Sequence, residues 1–383
     1  MKEECKRKVF LMKKVIVVGA GILGASAAYH LSLLGADVTL IDRFDSGQAT
    51  DAAAGIVCPW LSQRRNKAWY NMVKAGARYY PELISQLEKL GQTDTGYKQV
   101  GALMLHSAPE KLEKLAERAI KRREDAPEIG EIQFLSQQET KRYFPLLSDE
   151  YSSIFVSGAA RVNGRALRHA LIQSAVQLGA TFINENARLV FYGNRVTGIK
   201  LKEQELKADS VLVTAGAWAK ELFTPLGIEF IVTPQKAQIV HLQVAEADTS
   251  EWPVVMPPNN QYILSFEDGR IVVGATHENE AGFENRVTAG GILEILEKAL
   301  DIAPGLASST FAEVRVGFRP FTPDFLPVIG AIPAFQGLFV ANGLGASGLT
   351  SGPFLGLELA KLALGKQTEL NLEDYNVTGA IKV

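Results

Sequence analysis

The chain reads as a mixed α/β protein: a non-contiguous Rossmann-type nucleotide unit with an inserted domain built on an antiparallel sheet. Three observations predict this. Residues 15–24 run four apolar β-formers into a G-x-G-x-x-G turn and on into an apolar-periodic helix. The stretch 230–274 carries repeated strand patterns around turns such as Glu267-Asp268-Gly269, as antiparallel hairpins do. Near the C-terminus, residues 337–364 repeat the strand, glycine turn and helix of the opening.

The opening turn is the most informative stretch. Gly19 permits the tight turn, Gly21 lets backbone approach a pyrophosphate, and Gly24 lets the helix pack closely on the strand. Ile22 and Leu23 begin that helix, whose free N–H groups and positive dipole end favour phosphate. A second strand, 38–41, delivers Asp42, a carboxylate placed for the adenosine ribose hydroxyls. Strand, turn, helix and acid in register predict a dinucleotide site. The same stretch has the outline of a secretory leader, since Lys13 and Lys14 precede a run without charge to Leu31. Three glycines at functional spacing, and an Asp42 that cleavage would orphan, weigh against export.

Composition excludes several classes. A length of 383 residues allows two domains with sizeable cores. The formal charge of −2 gives no pull toward nucleic acid, and the basic Lys121-Arg122-Arg123 run lies among glutamates on a helix face. No apolar run of about twenty residues lacks a helix-breaking glycine, so no integral membrane segment is expected. Two cysteines, Cys5 and Cys58, are too few for a disulfide framework and point to a cytoplasmic protein. Scattered histidines offer no metal-ligand spacing, and no G-x-S-x-G elbow supports a hydrolase.

Taken in order, residues 1–11 are charged and patternless, an expected N-terminal extension with Met12 as a candidate start. After the nucleotide unit, residues 47–55 are small, which suggests a ligand lying against backbone. Cys58 and Trp60 follow as candidate pocket walls. Residues 66–91 read as helical, with Pro81 near a break, 100–106 as a strand and 109–125 as an exposed amphipathic helix. Residues 165–178 form a further helix. Residues 208–218 read as a buried parallel strand ending in small residues, and strands at 230–232, 237–244, 261–266 and 270–274 follow. A helix at 292–300 and a strand at 311–318 lead to the second signature, Gly343-Leu-Gly345-Ala-Ser-Gly348, with its helix expected from Pro353. Too little chain follows for another βαβ unit, so this turn aims a second helix end at another part of the same ligand.

These motifs together resemble the FAD-dependent amino-acid oxidase and dehydrogenase family, which includes glycine oxidase, D-amino-acid dehydrogenases and sarcosine oxidase. The resemblance rests on the Gly19–Gly24 turn, Ala52-Ala-Ala-Gly55, Leu212-Val-Thr-Ala-Gly-Ala-Trp218, Gly274-Ala-Thr276, Val316-Gly-Phe-Arg-Pro320 and Thr322-Pro-Asp324, over residues 12–365. It implies non-covalent FAD held by the opening turn and Asp42 with Arg43. Further FAD contacts are implied at Ala49, Thr50, Ala54, Gly55 and Ile56, at Thr214, Gly216 and Trp218, and at Gly345, Ser347, Gly348, Leu349 and Thr350. The implied division is an FAD-binding domain over 12–88, 145–232 and 313–383, with a substrate domain over 89–144 and 233–312.

The implied reaction is oxidation of a C–N bond in a small amino acid (glycine, sarcosine or a D-amino acid), with hydride passing to flavin N5 and the imine hydrolysing. Arg319 matches the family's cation for the substrate carboxylate, Tyr262 its roof tyrosine, and His277 a pocket-lining position. Oxygen or a redox partner takes the electrons, and a homo-oligomer is compatible with everything above. Three departures stand out. Gly317 occupies the place where sarcosine-type enzymes attach FAD through cysteine, Ala346 replaces glycine oxidase's late arginine, and Lys236-Ala-Gln238 replaces Arg-Gly-Gln. A nicotinamide-dependent dehydrogenase, or a flavin-binding subunit or RNA-modification module on the same fold, are the alternatives.

Overall fold

The computed structural model describes residues 12–245 and 247–382, so the extension expected over 1–11 lies outside the described residues. A six-stranded sheet runs in the order Val328–Ala331, Leu338–Asn342, Ser210–Val213, Lys14–Val18, Asp37–Asp42, Thr181–Asn184. Its neighbours are parallel except the pair Val328–Ala331 and Leu338–Asn342. Ser210–Val213 is buried throughout and Lys14–Val18 from Val15 onward, as continuous apolar runs in a sheet covered on both faces should be.

The helix Ile22–Leu33 is buried from Ile22 to Ser32, because it lies between the helices Gly164–Gln177 and Gly348–Ala363. It meets Gly348–Ala363 through small residues. A Cβ on Gly352 would lie 2.8 Å from Ile22 Cγ2, and one on Gly356 would lie 2.6 Å from Ser26 Cβ. Ser26 Oγ donates across this contact to the Pro353 carbonyl at 2.6 Å.

An eight-stranded sheet forms a roof over the first, in the order Thr310–Phe321, Thr233–Gln243, Arg270–Gly274, Tyr262–Ser265, Val254–Met256, Ala102–His106, Ser152–Val156, Ile132–Leu135. Only the pairing of Val254–Met256 with Ala102–His106 is parallel. Side chains alternate across it. Val240, Leu242, Ile271 and Val273 pack under the helix Ala289–Ile302, whereas Ala237 and Ile239 join the core shared with the nucleotide helices. Residues of Ser152–Val156 and Thr310–Phe321 fall in stretches expected in the FAD-binding domain, yet both strands belong to the roof. Pairing decides it, because Thr310–Phe321 runs the length of Thr233–Gln243 and Ser152–Val156 pairs with Ala102–His106.

Two prolines behave differently from expectation. Pro81 lies inside an unbroken helix, Lys67–Lys89, whose buried face includes Tyr79, Tyr80, Leu83, Ile84 and Leu87. Packing of that apolar stripe outweighs one lost backbone hydrogen bond. Pro353 does not start the late helix, which begins at Gly348. The carbonyl that Pro353 leaves without a donor belongs to Leu349, and the Tyr80 hydroxyl donates to it instead.

Candidate active site

A cavity of about 440 Å³ lies between the carboxyl ends of the six-stranded sheet and the roof. Gly19 adopts φ 106°, and a Cβ there would strike the Thr214 carbonyl oxygen at 2.6 Å. A Cβ on Gly24 would sit 1.8 Å from the Gly19 carbonyl oxygen. Thr214 Oγ1 donates to that same Gly19 oxygen at 2.7 Å. The protein's own packing therefore accounts for both glycines. Gly21 is different. A Cβ there would meet only Thr50 Oγ1, at 3.5 Å, so the turn keeps open space beside its backbone. Gly21 is also the helix N-cap and offers no side-chain cap, while Thr50 Oγ1 accepts from the Ile22 N–H at 3.0 Å.

Asp42 is buried and holds the turn together. Its Oδ2 accepts from the Ala20 N–H at 2.5 Å, and Oδ1 accepts from the Phe44 N–H at 2.6 Å and Gln48 Nε2 at 2.8 Å. A carboxylate has about four acceptor positions, so room for a ribose hydroxyl remains. Arg43 lines the same end, pairing with Glu221 at 2.8 Å. Ala49, Ala54, Gly55 and Ile56 line the adjoining wall, so the small-residue run does face the cavity.

Gly216, Trp218, Gly345, Gly348 and Leu349 line the cavity as well. Nothing lies within 4 Å of a Cβ built on Gly348, a second open cradle at a helix start. Asn342 locks the two turns together: Nδ2 donates to the Gly216 carbonyl at 2.9 Å, and Oδ1 accepts from the Gly343 N–H at 2.7 Å. Asn342 and Gln48 are site residues that the sequence reading missed. Gln48's only signal was its place inside the small-residue run.

Several expected residues lie outside the lining. Gly24 backs onto the turn. Ser347 Oγ accepts from Trp69 Nε1 at 3.1 Å, and Thr350 Oγ1 donates to the Ile56 carbonyl at 2.9 Å, so both serve packing around the late helix. Cys58 and Trp60 are buried in the core and do not line the cavity either. Burial pushes the Cys58 thiol up to about 12. Among the described residues no cysteine lines the cavity, and Gly317 lies against Ala52.

The roof contributes Tyr262 and Arg319. Arg319 Nη1 donates to Gln235 Oε1 at 3.1 Å, across the register pair Gln235–Arg319. Gln235 is fixed in turn by donating Nε2 to Asn279 Oδ1 at 2.7 Å. Among the described residues no carboxylate pairs with Arg319, and Asp324 is not its partner. Desolvation lowers the Arg319 pKa, and the adjacent Tyr262 hydroxyl partly opposes that. Desolvation raises the Tyr262 pKa, with the Arg319 charge pulling the other way.

His277 is exposed and does not line the cavity, because the strand carrying its motif ends at Gly274 and the chain turns outward. Its pKa is lowered, first by desolvation and then by the Arg319 charge. Lys236, one of the departures, is fully buried and pairs with Glu278 at 3.1 Å. Glu278 also accepts from Gln238 and Thr276, each at 2.7 Å.

A cavity with two open glycine cradles at the neighbouring starts of two parallel-packed helices, and an acid at one end, fits an extended dinucleotide such as FAD. Similarity to known proteins agrees. The DAO family model, FAD-dependent oxidoreductases, matches residues 14–362. An uncharacterized oxidoreductase of Bacillus subtilis, YurR, is 64% identical over 97% of this chain and 100% of its own length. The glycine oxidase of Pseudomonas aeruginosa is 29% identical over 97% of this chain and 100% of its own. The crystal structure of iminodiacetate oxidase from Chelativorans superposes with a TM-score of 0.92 at 46% identity, covering 94% of this chain and 98% of that one. The nicotinamide alternative falls away, and the cofactor is FAD. The chain belongs to the DAO family of FAD-dependent oxidoreductases, enzymes that act on C–N bonds of amines and amino acids.

Proposed function

We propose that the chain oxidises the C–N bond alpha to a carboxylate in a small amino acid, with glycine, sarcosine or a D-amino acid as the substrate class. The iminodiacetate oxidase likeness adds secondary amines bearing carboxymethyl groups to that class. One observation carries the reading: Arg319, on the cavity wall, is a cation whose hydrogen-bond partner is the neutral Gln235. A guanidinium left without an acid presents a planar fork to a substrate carboxylate. Tyr262 stays protonated and donates its hydroxyl to the same carboxylate. The acids lining the cavity, Asp42, Asp45, Glu185 and Glu221, cluster at the nucleotide-loop end, away from the roof strands of Tyr262 and Arg319.

The substrate amine therefore gives up its proton to solvent before reaction, and no roof side chain acts as general base. Bound FAD supplies the hydride acceptor, and the imine product hydrolyses in water to a 2-oxo acid and an amine. Oxygen or a redox partner re-oxidises the enzyme. We also assign the FAD-binding domain to 12–88, 145–232 and 313–383 and the substrate domain to 89–144 and 233–312, with the roof sheet drawing strands from both sets.

Anaerobic addition of glycine, sarcosine, iminodiacetate, D-alanine, D-proline and their L-forms tests the reading. One or more should bleach the yellow protein, faster as pH rises toward the pKa of the free amine. A protein that stays yellow with the whole panel sinks the amino-acid assignment.

A further inference from the structure

A recess of about 400 Å³ shares no lining residue with the active-site cavity. It lies between the segment 63–66, the start of the helix Lys67–Lys89 and the helix Pro109–Arg123. Five cations line it: Arg64, Arg65, Lys67, Arg118 and Arg122. Among the described residues no carboxylate does. The two acids whose charge reaches Tyr70, on its wall, are already paired elsewhere. Asp125 meets Lys74 at 2.6 Å, and Glu128 meets Arg78 at 3.5 Å. A helix N-terminus opening on the same recess adds its positive dipole end.

Two of the cations are held in place, while Arg65 and Lys67 are exposed. Arg122 lies over the Tyr70 ring at 4.4 Å, and its Nη1 donates to the carbonyls of Trp60 and Ser62. Arg64 lies over the Trp69 ring at 4.7 Å and donates to the Phe325 carbonyl. Arg118 adds a repelling charge beside Arg122. Arg118 Nη1 and the Tyr70 hydroxyl are both shielded from solvent, and neither has a hydrogen-bond partner among the described residues. Buried donors rarely stay unpaired in a native fold, so these two point to an acceptor that a ligand brings. Fixed like charges without a counter-charge point the same way.

We infer that this recess binds a small oxyanion carrying two or more negative charges, of phosphate or polycarboxylate type, separately from the active site. A concave site of this size suits a compact anion, and stacked guanidinium groups match the geometry of phosphate and carboxylate oxygens.

Isothermal titration of the FAD-loaded protein, at low ionic strength in a non-anionic buffer, tests this with inorganic pyrophosphate and with citrate. Saturable one-to-one binding of at least one is expected, and the tighter of the two identifies the source of the anion. Arg118→Gln removes a donor, Nη1, that has no partner among the described residues, and should weaken binding roughly tenfold or more. Arg319→Ala, which alters the active site, should leave it unchanged. Added salt should weaken it. Absence of saturable binding by both anions overturns the inference. So does binding lost in Arg319→Ala and kept in Arg118→Gln, which would assign the anion to the active site. Neither result bears on the amine-oxidation reading, whose test uses different ligands.

Discussion

In the proposed reaction, substrate binding at the roof turns on Arg319, which is held by the neutral Gln235. Arg319→Ala should raise KM for a carboxylate substrate by a factor corresponding to about 2–5 kcal/mol, the loss typical of a desolvated charge pair, while bound FAD is retained. Steady-state kinetics with the best amine from the panel checks this, and an unchanged KM removes Arg319 from substrate binding. Gln235→Glu is the sharper test. It would set a carboxylate against a guanidinium now 3.1 Å from an amide oxygen, giving Arg319 an internal partner in competition with substrate. KM should rise roughly tenfold or more with kcat largely preserved; a fall in kcat alone would argue against this competition. Motif resemblance singled out Arg319 and Tyr262, and both line the cavity. Gln235 was not singled out, because its importance comes from the cross-strand register with Arg319, which local spacing does not encode. His277 is the converse case: it follows a strand beside the cavity in sequence, yet it is exposed and outside the lining.

Between elements, the contact of Ile22–Leu33 with Gly348–Ala363 brings the two helix starts to the cavity. Gly356→Val would push a side chain against Ser26 Cβ and the Leu23 carbonyl, each less than 3 Å from the new Cβ. Overpacking of this kind typically costs about 1–3 kcal/mol. Denaturant unfolding should show at least that loss, with weaker FAD retention. His30 adds a pH dependence. It is buried, its Nε2 accepts from the Tyr79 hydroxyl at 2.6 Å, and its Nδ1 donates to the Ser26 carbonyl at 2.7 Å. Desolvation lowers its pKa to about 4. The unfolded chain, with an ordinary histidine pKa near 6.5, therefore binds more protons between these values. His30's contribution is fully present above pH ~6.5 and falls as pH drops toward about 4, by roughly 3 kcal/mol in all. Unfolding curves from pH 7 to 4.5 should show this slope, and His30→Gln should flatten it. Periodicity located these helices. The true start of the late one was hidden because a tyrosine from another helix satisfies the carbonyl that Pro353 abandons.

At the scale of the molecule, an extended cofactor would touch both sheets and both helix starts, so removing it should cost stability throughout. FAD at a hundredfold excess over Kd contributes about 2.7 kcal/mol. Stripped protein should accordingly melt several degrees lower in a thermal scan and recover on adding FAD. Equal Tm values for the two forms would mean that FAD does not bridge the sheets. The sequence showed the nucleotide half well, because its strands are apolar runs tied to glycine turns. The roof was harder. Val254–Met256, Ile132–Leu135 and Ser152–Val156 are short, and partners far away in the chain make them strands. That wiring has a consequence for biosynthesis. Lys14–Val18 emerges first from the ribosome, yet its neighbour Ser210–Val213 follows nearly two hundred residues later, and Leu338–Asn342 later still. The nascent chain must hold one edge of an apolar strand unpaired until more than half of it has been made. Its yield in a cell should therefore respond to chaperone supply and to translation rate, and early-terminated chains should be cleared rather than accumulate as half-enzymes.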